Sequence, residues 1–330
     1  MSLVVAGLVL CTLMPTEASA CTVPVFRYAL EHWPASPYRL AVLHRGELSL
    51  EQKEALGSLL PTGVRSLDIE TYDVSEELPE GAARDQWEAA PHSDSLPYGL
   101  LFLPTDMRVK QPLVWQGALN EEGLAELKSL VYSPLMRQTC RALATGDSAA
   151  WLILKGQDEE VNKQTRTLLD DALAEMQDNL KLPHELDPSD STYSRQPAPG
   201  VPLKKHFSVH EADLDAPKNE ILRQILIALA PDSELPSGPM VMPMFGRGRA
   251  LALLTGGDIS ERVFWEINSF LVGPCSCKVK QLNPGFDLLA PFPWDEILYM
   301  ETGVEQAIAN LPGTPREEPL QDAASLKSED

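Results

Sequence analysis

Apolar and polar positions along the chain alternate between two periods, and that alternation sets out the elements. "YRLAVLHRG" (38–46) is a short β-rich run, and "SLEQKEALGSLL" (49–60) has helical character with Ser49 as its N-cap. A second strand, "VRSLDIETYDV" (64–74), follows, and a polar, proline-bearing loop covers Ser75 to Ser95. Two apolar runs, "LPYGLLFLP" and "PLVWQGAL", then flank the turn-forming "TDMRVKQ". "NEEGLAELKSLVYSP" reads as a helix capped by Asn120, with acids in its first turn and Leu124, Leu127 and Val131 on one face. The predicted order is βαβ, a hairpin and a helix.

The second half repeats this order. "AAWLILKG" (149–156) is a strand, and residues 159–182 form a long helix that stops before Pro183. A Pro/Ser-rich loop leads to the strand "KKHFSVHEADL" (204–214), and "KNEILRQILIALA" (218–230) is a helix without a counterpart in the first half. "GPMVMPMFG" and "ALALLTG" flank the turn "RGR", and Ile259 to Leu271 forms a last helix. Two copies of one plan describe this pattern more economically than one large sheet.

A βαβ unit followed by a hairpin and a closing helix, with Pro97 and Pro239 opening the two hairpins, resembles the thioredoxin fold. The resemblance implies an α/β protein of two tandem, degenerate thioredoxin-like (βαβ–ββα) domains, residues 21–145 and 146–310, with both prolines in the place that is usually cis. Enzymes of that family carry C-x-x-C between the first strand and its helix, where the helix N-terminus favours the thiolate. The corresponding stretches here are "HRGELS" (44–49) and "KGQDEE" (155–160), neither of which contains cysteine. An oxidoreductase centre is therefore not expected at either place.

Compartment and charge narrow the partners. Residues 1–20, "MSLVVAGLVLCTLMPTEASA", combine an apolar stretch, a breaker and an A-x-A site, the layout of a secretory signal peptide, although no Lys or Arg precedes the apolar stretch. Export to the periplasm or cell envelope is expected, as a secreted protein or, if Cys21 is acylated, as a lipoprotein held at the membrane. With 48 acidic against 27 basic residues the formal charge is −21, which repels phosphate backbones and excludes nucleic acid as a partner. Residues 311–330 read as a disordered acidic tail.

Candidate chemistry is concentrated in "GPCSCKVKQLNPG" (273–285). Removal of the signal leaves Cys21, Cys140, Cys275 and Cys277, an even number in an oxidising compartment. Cys140 is in register with Met136 and Leu143 and reads as a small buried hydrophobe. Three readings of Cys21, Cys275 and Cys277 stay open. They could form a structural disulfide from Cys21 to Cys275 or Cys277, a thiol–disulfide redox centre, or a thiolate site for a metal ion. No other cofactor is expected.

His206 and His210 share one side of a predicted strand, with Ser208 between them. Trp115, Trp151, Trp265 and Trp294 lie in apolar surroundings and read as core or rim anchors. Arg247 and Arg249 read as hairpin-tip charges, the one basic spot on which an anionic partner could dock. No G-x-S-x-G, H-E-x-x-H, paired C-x-x-C or EF-hand loop is present.

Four phrases, "CTVPVFRYALE", "GDSAAWLIL", "FGRGRAL" and "GPCSCKVKQLNPG", resemble uncharacterised exported proteins of planctomycete-like bacteria, a likeness that implies export and a common design. The combined expectation is an exported binding or scaffold protein whose partner is an envelope protein or a small molecule. A thiol redox protein and a metal-binding protein are the alternatives.

Overall fold

The computed structural model describes residues 23–60, 63–89, 93–110, 112–183, 201–230, 234–275, 278–300, 303–309 and 311–312. The first sheet holds β1 (Tyr38–His44), β2 (Leu67–Asp73), β3 (Tyr98–Phe102) and β4 (Leu113–Ala118) in the order β2-β1-β3-β4. β1 and β2 are parallel, and the β1/β3 and β3/β4 pairs are antiparallel. A parallel pair needs a crossover, which α2 (Leu50–Gly57) supplies. The predicted cap holds there: Ser49 Oγ accepts from Gln52 N at 3.1 Å, and the Gln52 side chain accepts from Ser49 N at 2.8 Å.

A helix, α3 (Ala82–Ala89), forms inside the stretch predicted as loop. None of its residues is fully buried; its apolar face is only Ala82, Ala83 and Trp87, partly buried against the first sheet, and the i,i+4 pair Arg84–Glu88 runs along its surface. α4 (Glu121–Val131) carries the predicted cap, with Asn120 Oδ1 accepting from Gly123 N at 2.9 Å. After it, α5 (Pro134–Ala144) starts with proline at its first position and Ser133 as its N-cap.

In the second sheet β5 (Ala149–Leu154), β6 (Phe207–Ala212), β7 (Met240–Phe245) and β8 (Arg249–Ala250) repeat the same order and directions. α6 (Glu159–Asn179) makes the crossover between the parallel β5 and β6. Two additions set this sheet apart: β9 (Leu254–Thr255) pairs with β7, and β10 (Phe286–Asp287) extends the sheet beyond β8. The predicted helices settle as α7 (Glu220–Leu229) and α8 (Glu261–Val272), and two short helices follow, α9 (Trp294–Tyr299) and α10 (Val304–Ala309). Among the described residues Leu96–Pro97 is the only cis peptide bond, so the expectation of a cis bond holds before Pro97 and not before Pro239.

The boundary at 145/146 separates the two sheets without separating their cores. One apolar cluster joins Leu40, Val42 and Leu101 of the first sheet to Leu152, Met242 and Met244 of the second, with α4, α5 and α7 contributing Leu127, Leu143 and Leu226. The C-terminal Phe292, Trp294, Ile297 and Leu298 belong to that same cluster. Conversely α1 (Val25–His32), which precedes the first sheet in sequence, buries Val25, Phe26 and Ala29 against Trp151, Phe245 and Phe264 on the outer face of the second. Each end of the chain thus helps to cover the half at its opposite end.

Candidate functional site

The C-terminal ends of β5 and β6 open onto a cleft of about 460 Å³. Position is set by topology, because loops leaving the ends of a parallel strand pair diverge to the two faces of the sheet and leave a crevice between them. Leu214, Ile227 and Met240 contribute apolar surface, and Lys155, Asp213 and Arg223 bring both signs of charge. Lys155 Nζ lies 3.5 Å from Glu159 Oε1 and 3.6 Å from Glu211 Oε2. These carboxylates, Glu159 foremost, hold its ammonium above the ordinary lysine range.

The β5–α6 turn forming one wall is tightly held. Asn162 is 4% exposed, and its side chain pairs with both backbone groups of Gly156: Gly156 N donates to Oδ1 at 2.8 Å, and Nδ2 donates to Gly156 O at 3.0 Å. Gln157 N reaches across to Ser237 O at 3.0 Å, fastening the turn to the loop before β7. The approach is so close that a Cβ on Gly156 would stand 2.5 Å from Gly238 C and 2.6 Å from Pro239 N. Asp158 caps α6 by accepting from Glu160 N and Val161 N, so these donors already have a partner.

The equivalent turn of the first half is self-contained. His44 Nδ1 lies 2.7 Å from Gly46 O, Gly46 N donates to Asp73 Oδ2 at 3.0 Å, and the Ser49–Gln52 capping box closes the start of α2. Gly46 has φ +67° and no atom within 4 Å of a Cβ built on it, so dihedral preference alone selects glycine there.

The cysteines divide between the described and undescribed parts of the chain. Cys21 and Cys277 lie outside the described residues. Cys275 is 2% exposed, packed within the cluster that covers the outer face of the second sheet. Its backbone N donates to Val23 O at 2.9 Å, and Val25 N donates to Gly273 O at 3.0 Å, an antiparallel bridge centred on Pro24 and Pro274. Beyond the C-x-C, Trp33 Nε1 donates to Lys278 O at 3.0 Å and Lys280 Nζ to Pro34 O at 2.7 Å. Cys140 is buried as expected, and burial pushes its thiol well above the ordinary range.

Arg247 lies in the turn between β7 and β8 and Arg249 opens β8, at the tip of the hairpin as expected, but neither is a surface charge, since both side chains are 10% exposed. Arg247 Nε donates to Leu30 O at 2.7 Å and Nη1 to Asp295 Oδ1 at 2.8 Å. Arg249 Nη1 donates to Asp287 Oδ1 at 2.9 Å, with Nη2 on the carbonyls of Asn283 and Gly285. Lys280 Nζ shares the Asp287 carboxylate, which also accepts from Ser36 N at 2.7 Å. The result is a buried ionic knot in which one carboxylate joins the second sheet to the segment entering the first.

His206, exposed, meets Asp147 at 2.9 Å beside an open groove that also includes Arg141, Lys204, Lys205 and His210. Burial pushes His210 below the ordinary histidine range, while Asp147 acts in the opposite direction. Trp151 and Trp294 are buried, and Trp115 and Trp265 are partly buried against the core, as their surroundings in sequence imply. Among the described residues no group of three or more His, Cys, Asp or Glu side chains could hold a metal ion. No described helix is long and apolar enough to cross a membrane.

Sequence reading missed the polar residues of the cleft: Asp213, Asp215, Arg223 and Glu234 sit in loops or on an amphipathic helix, where charged residues are ordinary. Asn162 carried a faint signal, as an asparagine in the first turns of a long helix competes with the backbone unless it has a local partner. Comparison with known proteins finds no matching family model, no matching curated protein and no matching solved structure.

Proposed function

We propose that the protein is an exported, non-catalytic binding or scaffold module of the bacterial envelope, built from two degenerate thioredoxin-like halves. In this reading its ligand site is the cleft at the ends of β5 and β6, and its ligand is an extended polypeptide segment of an envelope partner. The observation that carries the reading is the composition of the cleft. It occupies the place between the first βα turn and the loop before the third strand, where thioredoxin-like enzymes keep their thiols. Its described lining has Lys155, Gln157, Asp213 and Arg223 and no cysteine.

Support for the thioredoxin-like assignment comes from the repeated strand order and directions in both sheets. Apolar surface between charges of both signs suits a peptide that offers an apolar side chain and two salt-bridge partners. The C-x-C segment serves as an architectural clasp, with a disulfide from Cys21 to Cys275 or Cys277. Its support is the backbone bridge from Cys275 to Val23, which stands two positions after Cys21. A redox role for the same cysteines requires an accessible thiol, and Cys275 is 2% exposed.

The test compares catalysis with binding on the mature chain recovered from an oxidising compartment. Reduction of insulin by dithiothreitol should proceed at the uncatalysed rate, for the parent and for Cys275→Ser alike. A panel of extended peptides, each with one apolar residue between an acid and a base, should include members that bind saturably and lose affinity about tenfold in Lys155→Glu/Arg223→Glu. Catalysis abolished by Cys275→Ser would replace this reading with the redox one, and peptide binding indifferent to the double charge reversal would remove the cleft from it.

A further inference from the structure

We propose that the open groove beside β6, about 690 Å³ in volume, is a docking site for this chain's own acidic C-terminal segment, residues 313–330. The groove is independent of the cleft. One wall is α5, through Gln138 and Arg141, and the other is the stretch entering β6, through Lys204, Lys205 and His206. In a chain of formal charge −21 this lining has the opposite sign. Its one carboxylate among the described residues, Asp147, already faces His206 at 2.9 Å. Lys204 is exposed and makes no ion pair among the described residues, and Lys205 Nζ donates to a neutral acceptor, Leu180 O, at 2.7 Å. Two ammonium groups therefore line the groove without a counter-charge from the described residues.

The path of the chain brings that counter-charge to the groove. The last described residue, Pro312, lies against α5, where Arg137 Nη1 donates to Pro312 O at 3.5 Å. α10, just before it, is tied to the same helix by the pair Glu305–Arg141 at 2.5 Å. Arg141 lines the groove and is one turn from Arg137, about 6 Å along the helix. The C-terminal segment thus leaves the described fold at the groove's edge. It has five acids, Glu317, Glu318, Asp322, Glu329 and Asp330, against two bases, Arg316 and Lys327. The first three fall within ten residues of Pro312, and ten extended residues span about 33 Å, several times the width of a groove of this size. Exposed ion pairs are weak singly, but a tethered segment acts at an effective concentration on the order of 1 mM. A free-peptide Kd of about 100 μM then keeps the groove filled roughly nine-tenths of the time.

The first test is carbodiimide cross-linking of the full chain at micromolar concentration and low salt, with peptide mapping of the monomer fraction. Glu317, Glu318 or Asp322 should be joined to Lys204 or Lys205, and the yield should fall severalfold in 0.5 M NaCl. Links confined to a dimer fraction would assign the groove to a second copy. Links from these lysines to Glu185, Asp187 or Asp190 alone would assign it to the preceding segment, and either result, or the absence of any link, overturns the proposal. The second test titrates a labelled peptide of residues 313–330 into the full chain and into Glu317→Gln/Glu318→Gln/Asp322→Asn. The triple variant should bind it about tenfold more tightly than the parent, because its own segment no longer competes. Adding Lys204→Glu, at an exposed side chain, should then weaken the peptide severalfold, and Lys204→Glu/Lys205→Glu about tenfold, with the circular dichroism of both unchanged. Equal affinity in parent and triple variant, or affinity indifferent to the lysine reversals, overturns the proposal as well.

Discussion

Gly46 and Gly156 each stand two residues past the first strand of their sheets, and they are glycines for different reasons. Gly46 has open space around it and a left-handed backbone, whereas Gly156 has no positive φ and is pressed against the backbone of Gly238 and Pro239. The first turn is a self-satisfied loop held by His44, Asp73 and Ser49. The second is fastened across the sheet end and becomes one wall of a cleft. One strand plan therefore ends once in a closed turn and once in an open cleft, and close backbone approach, rather than strand order, marks which half has the cleft.

The sharpest way to break this contrast is to untie the second half from its surroundings. Asp287→Ala leaves Arg249 and Lys280 buried without their carboxylate, and a loss of about 3–5 kcal/mol is expected in urea unfolding. Because the large core is shared, tryptophan fluorescence and far-ultraviolet circular dichroism should still report one transition; two separated transitions would show that the halves are independent. Next in size is the clasp. Peptide mapping without reduction should find Cys21 joined to Cys275 or Cys277, and reduction should lower stability by about 2–4 kcal/mol; full alkylation of all three before reduction would remove the clasp.

Gly156→Ala should cost about 2–3 kcal/mol through collision with the facing backbone and should distort the cleft, while Gly46→Ala should cost about 1–2 kcal/mol through its dihedral alone. Equal costs, or intact peptide binding in Gly156→Ala, would dissolve the distinction between the turns. The smallest effect concerns His210. Its imidazole is held below the ordinary pKa of about 6.5, so the unfolded chain takes up its proton first. Stability from this group is complete above that pH and is lost as pH falls through the lower, folded value. His210→Gln should shrink the drop in unfolding free energy between pH 7.5 and 5, measured in urea, by under about 1 kcal/mol, since the ring is only partly shielded from solvent.

Most strands and helices were legible because their apolar runs and caps are local. "YRLAVLH", "AAWLIL" and the Ser49 and Asn120 caps state their conformation within a few residues. α3 was illegible because its apolar face is only Ala82, Ala83 and Trp87, none of them fully buried. The arginines of "RGR" looked solvent-facing since their partners, Asp287 and the Leu30 carbonyl, are 38 and 217 residues away. A hint did exist, for Asp287 is a lone acid in the otherwise apolar "FDLLAPFPW", where a charge has to be paired.

The bridge between Val23–Val25 and Gly273–Cys275 also has a temporal meaning. α1 emerges first during synthesis, yet its backbone partners are made about 250 residues later. At roughly 5–20 residues per second, its Val25, Phe26 and Ala29 face waits about 12–50 s for that bridge. Over that interval the helix gains its cover in stages, Trp151 first and Phe245 and Phe264 later, and the bridge is made last. Any truncation before residue 273 leaves the first helix without its bridge.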